Sequence, residues 1–331
     1  PLVVRLHTPL KIWLKYNNND FGQSKDIILT WENEMLKKAD IITSCSKLLK
    51  EMVIKQYKLN KEIIVIPNPY NNKDFYPIAN TNNKNIIYVG SLEERKGVIL
   101  LAKALNKILN IIDSDVYIVG KDTNRNNKNI STKKYMLQLI NKKYHHRLKF
   151  IGQIDNKKVN EYLNKSYLAV FPSIFDNYPY TILEAMASGK QIICSDNIGS
   201  SDIVKIHNYT FKTNNIEDLK NKILLLMKEK KNYVNYNNIL LVNNICNPNY
   251  ICKKMRKIYI NAIENYRKEY HTKEEIIQVL RNNIKFNRLN NIKSIVGNLA
   301  NDVYIAFTDR GNYIIKKYNC DYDPEICNML Y

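Results

Sequence analysis

From residue 62 onward, short β-rich apolar runs alternate with longer stretches of helical spacing. The runs fall at 62–66, 85–89, 115–119, 148–151, 168–171 and 191–194. Several are nearly continuous in apolar residues, as expected of parallel strands covered on both faces. Helical patterns lie between them at 98–110, with Leu101, Leu105 and Ile108 in phase, and at 133–141, 157–164 and 181–187. Alternation of this kind predicts a doubly wound α/β domain over residues 84–240. Ahead of it, residues 1–77 offer a strand (2–6), a helix (31–38), a strand (41–44) and a helix (47–57). These are too few to close a domain and read as the later part of a second α/β domain. Residues 68–83, rich in Asn and Pro, read as the linker. A basic helix is expected at 250–268. Beyond it, the runs 303–307 and 313–317 around a turn ending at Gly311 read as a hairpin of different texture.

Composition narrows the partners. The chain has 331 residues, with 51 Lys+Arg against 31 Asp+Glu and a formal charge of +20. This balance favours anionic partners such as nucleotide phosphates, acidic lipid headgroups or nucleic acid. Part of it is background, because Lys, Asn, Ile and Tyr abound throughout, as A/T-rich codon usage produces. No stretch approaches the ~18 apolar residues of a membrane span. The six cysteines show no C-x-x-C spacing and read as reduced thiols of a cytosolic protein.

Three segments could carry chemistry. The first is 171–189, where a buried strand ends at Phe171, a loop carries Asp176, and a helix opens near Pro179 with Glu184 one turn in. A helix N-terminus offers free N–H groups and a positive dipole end, and two carboxylates can accept from hydroxyls. Such a site suits a polyhydroxyl anion. The structural alternative is that Asp176 caps the helix and Glu184 is solvated. The second segment, 88–97, ends a strand in Gly90 and presents Ser91, Arg95 and Lys96 ahead of a helix, which suits a diphosphate. It is neither a Walker loop nor a dinucleotide fingerprint; a turn with solvated charges is its alternative. The third is His7, at the carboxyl end of the first strand, where α/β sheets bind ligands.

In order, Ile66 to Pro69, Asp74 to Pro77, Gly90 to Gly97, Val119-Gly120, Phe150 to Gly152 and Pro172 to Gly189 resemble the family-4 retaining glycosyltransferases of GT-B fold. The resemblance covers residues 1–265, and Leu183 to Gly189 is its most specific block. It implies two Rossmann-like doubly wound domains: the end of the acceptor-side domain at 1–78, incomplete, and a nucleotide-sugar domain at 79–248. A C-terminal basic helix at 249–270 and a short α+β appendage at 271–331 follow. It implies His7 and Asp176 as the catalytic residues, Asp176 meeting sugar hydroxyls and Glu184 the ribose. Gly90, Ser91, Arg95, Lys96, Asn177, Tyr178, Pro179, Tyr180 and Thr181 complete the donor site. Lys96 takes the pyrophosphate, no metal or cofactor is needed, and Gly199 to Asp202 matches a loop near the donor. The pattern departs at Asp176, where Glu is usual, at Pro179, where the loop Gly is common, and at Ser91, where an arginine is normal and Arg95 could substitute.

The implied reaction is retaining hexosyl transfer from a nucleoside diphosphate sugar to a glycan or lipid-linked acceptor, in cell-surface polysaccharide or lipopolysaccharide synthesis. Its expected place is the cytoplasm, at the inner face of the plasma membrane, with peripheral contact through the basic helix. Both ends of the chain read as cut, so little turnover is expected of this chain alone. The alternative is a catalytically decayed nucleotide-sugar-binding module fused to a kinase-like domain. Residues 301–318 with Glu325 resemble the first hairpin and helix of aminoglycoside-phosphotransferase-like kinases, with Lys316 as the phosphate-binding lysine. Nucleic acid is not an expected partner, since the lysines are dispersed and no aromatic–basic motif appears.

Overall fold

The structure, a computed structural model, describes residues 1–16, 24–71, 73–78, 84–228, 234–270, 277–278, 280–282, 284–285, 287–295 and 301–318. It divides into two compact units, Pro1–Ala262 and Ile263–Tyr331.

The first unit opens with β1 (Val3–Leu6), α1 (Leu10–Tyr16), α2 (Ser24–Lys38), β2 (Ile41–Ser44), α3 (Lys47–Tyr57) and β3 (Ile63–Val65). The strands form a parallel sheet in the order β1-β2-β3. Ser46 starts α3 by accepting from the Leu49 N–H, and the helix buries Leu49, Val53 and Tyr57. Helix α2 begins seven residues before the expected start, because its first turns carry Ile27 and Ile28 outward and leave no inward period to read.

Next come β4 (Ile86–Val89), α4 (Val98–Ile108), β5 (Val116–Val119), α5 (Thr132–Leu139), β6 (Leu148–Gly152), α6 (Asn156–Asn164) and β7 (Leu168–Phe171). They are followed by α7 (Tyr180–Ala187), β8 (Gln191–Ser195), α8 (Ser201–Val204), β9 (Tyr209–Phe211), α9 (Ile216–Lys228), α10 (Tyr236–Ile245) and α11 (Pro248–Tyr270). The strands make one parallel sheet in the order β6-β5-β4-β7-β8-β9. Every residue of β4, β7 and β8 is buried, which explains runs without alternation. The order reverses between β4 and β7. Loops leaving their carboxyl ends diverge there and open a crevice.

Two passages of chain join the sheets. Arg5 donates to the Ile66 and Pro67 carbonyls and to Asn68 Oδ1 at 3.1, 3.3 and 2.9 Å. Asn160 and Asn164 of α6 hold the onward chain: Tyr76 N–H donates to Asn160 Oδ1 and Ile78 N–H to Asn164 Oδ1, at 3.4 and 3.0 Å. Helix α11 returns to the first sheet, burying Ile251 and Ile258 with Ile66, Val3, Ile41 and Ile64.

In the second unit, β10 (Leu289–Ile295), β11 (Asn301–Thr308) and β12 (Gly311–Tyr318) form an antiparallel meander. The hairpin expected at 303–317 lies within β11 and β12, and β10 is a third strand beside it. Lys316 is on β12, and Glu325 lies outside the described residues. Cys45, Cys194 and Cys246 are buried and unbridged, Cys252 is exposed, and Cys320 and Cys327 lie outside the described residues. Among the described residues, no helix is long and apolar enough to cross a membrane.

Candidate functional site

At the carboxyl edge of the larger sheet, three neighbouring strands end in glycine: Gly90 after β4, Gly120 after β5 and Gly152 in β6. Gly120 shows why. Its φ is +149°, and a Cβ there would stand 1.8 Å from the Gly90 carbonyl oxygen. Only bare backbone lets the strand ends approach this closely. A cavity of about 290 Å³ opens at this edge, lined by Gly90, Ser91, Gly120, Lys121, Ile154 and Val159 among others. The mix of exposed backbone, apolar walls and one lysine suits a flat ring attached to an anionic group. Lys121, Ile154 and Val159 were not foreseen. The recurrence of a glycine at each strand end was the available signal.

The segment after Gly90 leads to Lys96 and then to Gly97, whose φ is +72°. A Cβ at Gly97 would lie 1.8 Å from the Pro172 carbonyl oxygen, so this glycine lets the loop after β4 touch the loop after β7. Ile174 N–H donates to the Arg95 carbonyl at 2.9 Å, and Arg95 Nη1 donates to the Phe175 carbonyl at 3.2 Å. Across this seam the Lys96 ammonium pairs with the Asp176 carboxylate. The two residues expected to meet diphosphate and sugar are thus neighbours, both largely shielded. Asp176 is not the cap of α7; that position is Pro179, one residue outside the first turn where it was expected.

Arg95 faces elsewhere. Its guanidinium lies 3.7 Å from Glu93, which also receives the Ser91 hydroxyl and stands 3.7 Å from Arg125. Arg95 lines a second, larger cleft, whereas Gly90 and Ser91 line the first.

The loop into α7 is tied to the first sheet. Asn177 Nδ2 donates to the His7 carbonyl at 2.8 Å, and the Cys45 thiol donates to Asn177 Oδ1 at 3.0 Å. Burial pushes the Cys45 thiol up to about 11, so it remains a donor. His7 itself is exposed at the end of β1. Tyr178 is buried, and its Oη shares a hydrogen bond with Cys246 Sγ at 3.5 Å. Tyr180 is exposed and donates to the Pro69 carbonyl at 3.3 Å. No side chain caps α7, so its first N–H groups, at Tyr180 and Thr181, have neither an intrahelical nor a capping partner. Glu184, one turn along, is largely buried, and desolvation raises its carboxyl to about 7. Its carboxylate makes no hydrogen bond or ion pair among the described residues, and its burial sets it apart from the solvated side chain of the structural alternative. Its carboxylate can still accept. Among the described residues, no group of three or more His, Cys, Asp or Glu could hold a metal.

Comparisons with known proteins bear on the family and the fold. The glycosyl transferases group 1 family matches residues 70–239, half of the chain. An uncharacterized glycosyltransferase of Methanocaldococcus jannaschii is 27% identical over 124 residues, which is 38% of this chain and 30% of that protein. The match therefore spans less than a third of that relative. Among solved structures, sucrose-phosphate synthase from Thermosynechococcus elongatus superposes with a TM-score of 0.65 at 22% identity, covering 80% of this chain and 68% of that one. HepE from Anabaena, solved with UDP and glucose, superposes with a TM-score of 0.61 at 17% identity, over 78% and 71% of the two chains. The architecture shared with these structures is the GT-B fold. With two strand-end loops meeting across the sheet's reversal point and the family match running over both, this chain belongs to the glycosyl transferases group 1 family.

Proposed function

We propose that the chain binds a nucleoside diphosphate sugar and transfers its hexose, with retention, to a glycan or lipid-linked acceptor of cell-surface polysaccharide or lipopolysaccharide synthesis. One observation carries this reading: Lys96 and Asp176, delivered by different strands, sit against each other at the crevice. In this reading the base occupies the cavity beside Gly90 and Gly120, and the diphosphate lies between the Gly90 loop, Lys96 and the open amides of α7. Asp176 and Glu184 accept from sugar and ribose hydroxyls. His7, at the end of β1, faces the reacting centre. Lys96 and the helix dipole stabilise the negative charge that develops on the leaving diphosphate. No metal or cofactor is invoked. The UDP and glucose in the HepE structure support a nucleotide-sugar ligand for this fold.

Residues 79–248 act here as the donor domain and 1–78 as part of the acceptor side. The cationic face of α11, with Lys253, Arg256 and Lys257, is the reading's contact with an anionic membrane at its cytoplasmic face.

A thermal-shift series with UDP, GDP and ADP tests the reading. One diphosphate raises the melting temperature, and Lys96→Ala and Glu184→Ala each lower its affinity at least tenfold, about 1.4 kcal/mol. Absence of any shift in the wild-type chain refutes it.

A second reading keeps binding without turnover, in a module fused to a kinase-like domain. It is favoured by Ser91, whose hydroxyl is engaged by Glu93 where the resemblance calls for an arginine, and by the antiparallel meander of β10–β12. Release of free sugar or glycoside by a chain that binds the donor separates the two.

A further inference from the structure

A cavity of about 620 Å³ lies between α5 and the short 3-10 helix Lys142–Arg147 that follows it. Its lining shares no residue with the Gly90 cavity or with the cleft beside Arg95. Its size falls in the range of small-molecule sites, ~300–1,000 Å³. Two kinds of group meet in it. Leu137, half-buried, and Ile140, buried, give an apolar wall, and Lys133, Lys134 and Lys142 stand around it. His145 ties the two sides together. Its Nε2 lies 3.0 Å from the Leu137 carbonyl oxygen and 2.9 Å from that of Ile140, so this nitrogen carries the proton and donates to the end of α5. The start of α5 is fixed by Asp122, which accepts from the Ser131 hydroxyl at 2.6 Å and the Lys133 N–H at 3.0 Å. Charge is lopsided here. Residues 121–149 hold nine Lys and Arg, and Asp122, engaged at that helix start, is their one acid. Arg147 is turned to the carbonyls of Leu109, Ile112 and Ser114, Arg125 stands 3.7 Å from Glu93, and Lys149 stands 3.8 Å from Asp115. Lys134 and Lys142 have no acidic partner among the described residues, and Lys133 rests over the Phe150 ring, 5.2 Å from its centroid.

We propose that this cavity binds an anionic amphiphile, its phosphate head on Lys134 and Lys142 with Lys133 beside them, its alkyl stem against Leu137 and Ile140. Ammonium groups without a counter-charge pair with phosphate oxygens through charge-assisted hydrogen bonds. Lysine stems lie along apolar surface with the charge at the rim, so the same side chains meet both halves of such a ligand. A purely anionic ligand leaves the apolar wall in water, and a neutral one leaves three like charges unanswered. Nucleic acid fits less well, since no Phe, Tyr or Trp lines the cavity to stack a base. The site stands apart from the donor reading and does not rest on it. A free alkyl phosphate and an anionic phospholipid of a bilayer share the chemistry.

Titration calorimetry of the whole chain with octyl phosphate below its micellar concentration, inorganic phosphate and octanol tests the site. We expect saturable binding of octyl phosphate, roughly tenfold tighter than either half alone. Lys134→Glu combined with Lys142→Glu weakens it by roughly tenfold or more. Lys134→Gln combined with Lys142→Gln, which adds no charge of the wrong sign, and Leu137→Ser each weaken it several-fold at an unchanged melting temperature. Co-sedimentation with vesicles of phosphatidylglycerol in phosphatidylcholine, against phosphatidylcholine alone, names the source. Capture that is lost with Lys134 and Lys142 assigns a bilayer lipid; octyl phosphate binding without such capture assigns a free amphiphile; each sustains the proposal. Inorganic phosphate binding as tightly as octyl phosphate overturns it, because the apolar wall then does nothing. Octyl phosphate binding that ignores Lys134 and Lys142, or no binding at all, overturns it too. If a short RNA binds through these lysines and octyl phosphate does not, the surface belongs to nucleic acid and the proposal falls.

Discussion

Glu184 and Lys190 are each largely buried without an ion pair among the described residues, and desolvation moves them in opposite directions, the carboxyl up to about 7 and the amine down to about 8. For Glu184 the folded value lies above the unfolded one. Its contribution to stability is therefore present below the ordinary carboxylate range and lost as pH rises through about 7. Glu184→Gln removes that loss. We expect the variant to be more stable than wild type at about pH 8, by on the order of 2 kcal/mol, with the gap closing towards pH 4. Donor affinity in the proposed reading moves the other way, because the ionised carboxylate is the form that accepts from two hydroxyls. Melting curves and UDP titrations over the same pH series read both effects. An affinity that does not change across pH 7 would remove Glu184 from the ribose.

At the scale of elements, the joint between the loops after β4 and β7 is backbone against backbone at Gly97 and Pro172. Gly97→Ala forces a left-handed φ on alanine and drives a Cβ into a carbonyl, so the loops must part. The expected cost is roughly 2–4 kcal/mol in a urea melt, with loss of diphosphate binding. Gly152→Ala is the matched control. It has a φ of +82° but nothing within 4 Å of the added Cβ, so only backbone strain of about 1 kcal/mol is expected and binding is kept.

The strands of the larger sheet from β4 to β8 were legible in the sequence, and β4, β7 and β8 most plainly, because burial on both faces makes them continuous apolar runs. Strand β9, three residues long, and α1, seven, were too short to show a period. Helix α9 carries Leu219, Ile223 and Leu226 in phase and could have been read, whereas α10 is obscured by its asparagines. Strand β10, with Asn and Lys among its residues, shows no continuous apolar run.

At the scale of the whole molecule, what the sequence withholds is adjacency. Lys96 and Asp176 meet because the strand order reverses between β4 and β7, and Asn177 reaches the His7 carbonyl because the first sheet's carboxyl edge abuts the same loop. No spacing along the chain encodes either fact. Residue types were readable, since a loop lysine and a loop carboxylate each belong to ligand chemistry; their partnership is a product of topology. In the proposed reading the Lys96–Asp176 pair also bears on turnover. In the proposed reading the lysine's counter-charge is Asp176, so a diphosphate competes with that carboxylate for Lys96. In the same reading the carboxylate regains the lysine as the spent nucleotide leaves. Asp176→Asn should then hold UDP several-fold more tightly and be more strongly inhibited by it, even as sugar recognition fails. In the proposed reading an ion pair of this kind works as a product-release spring.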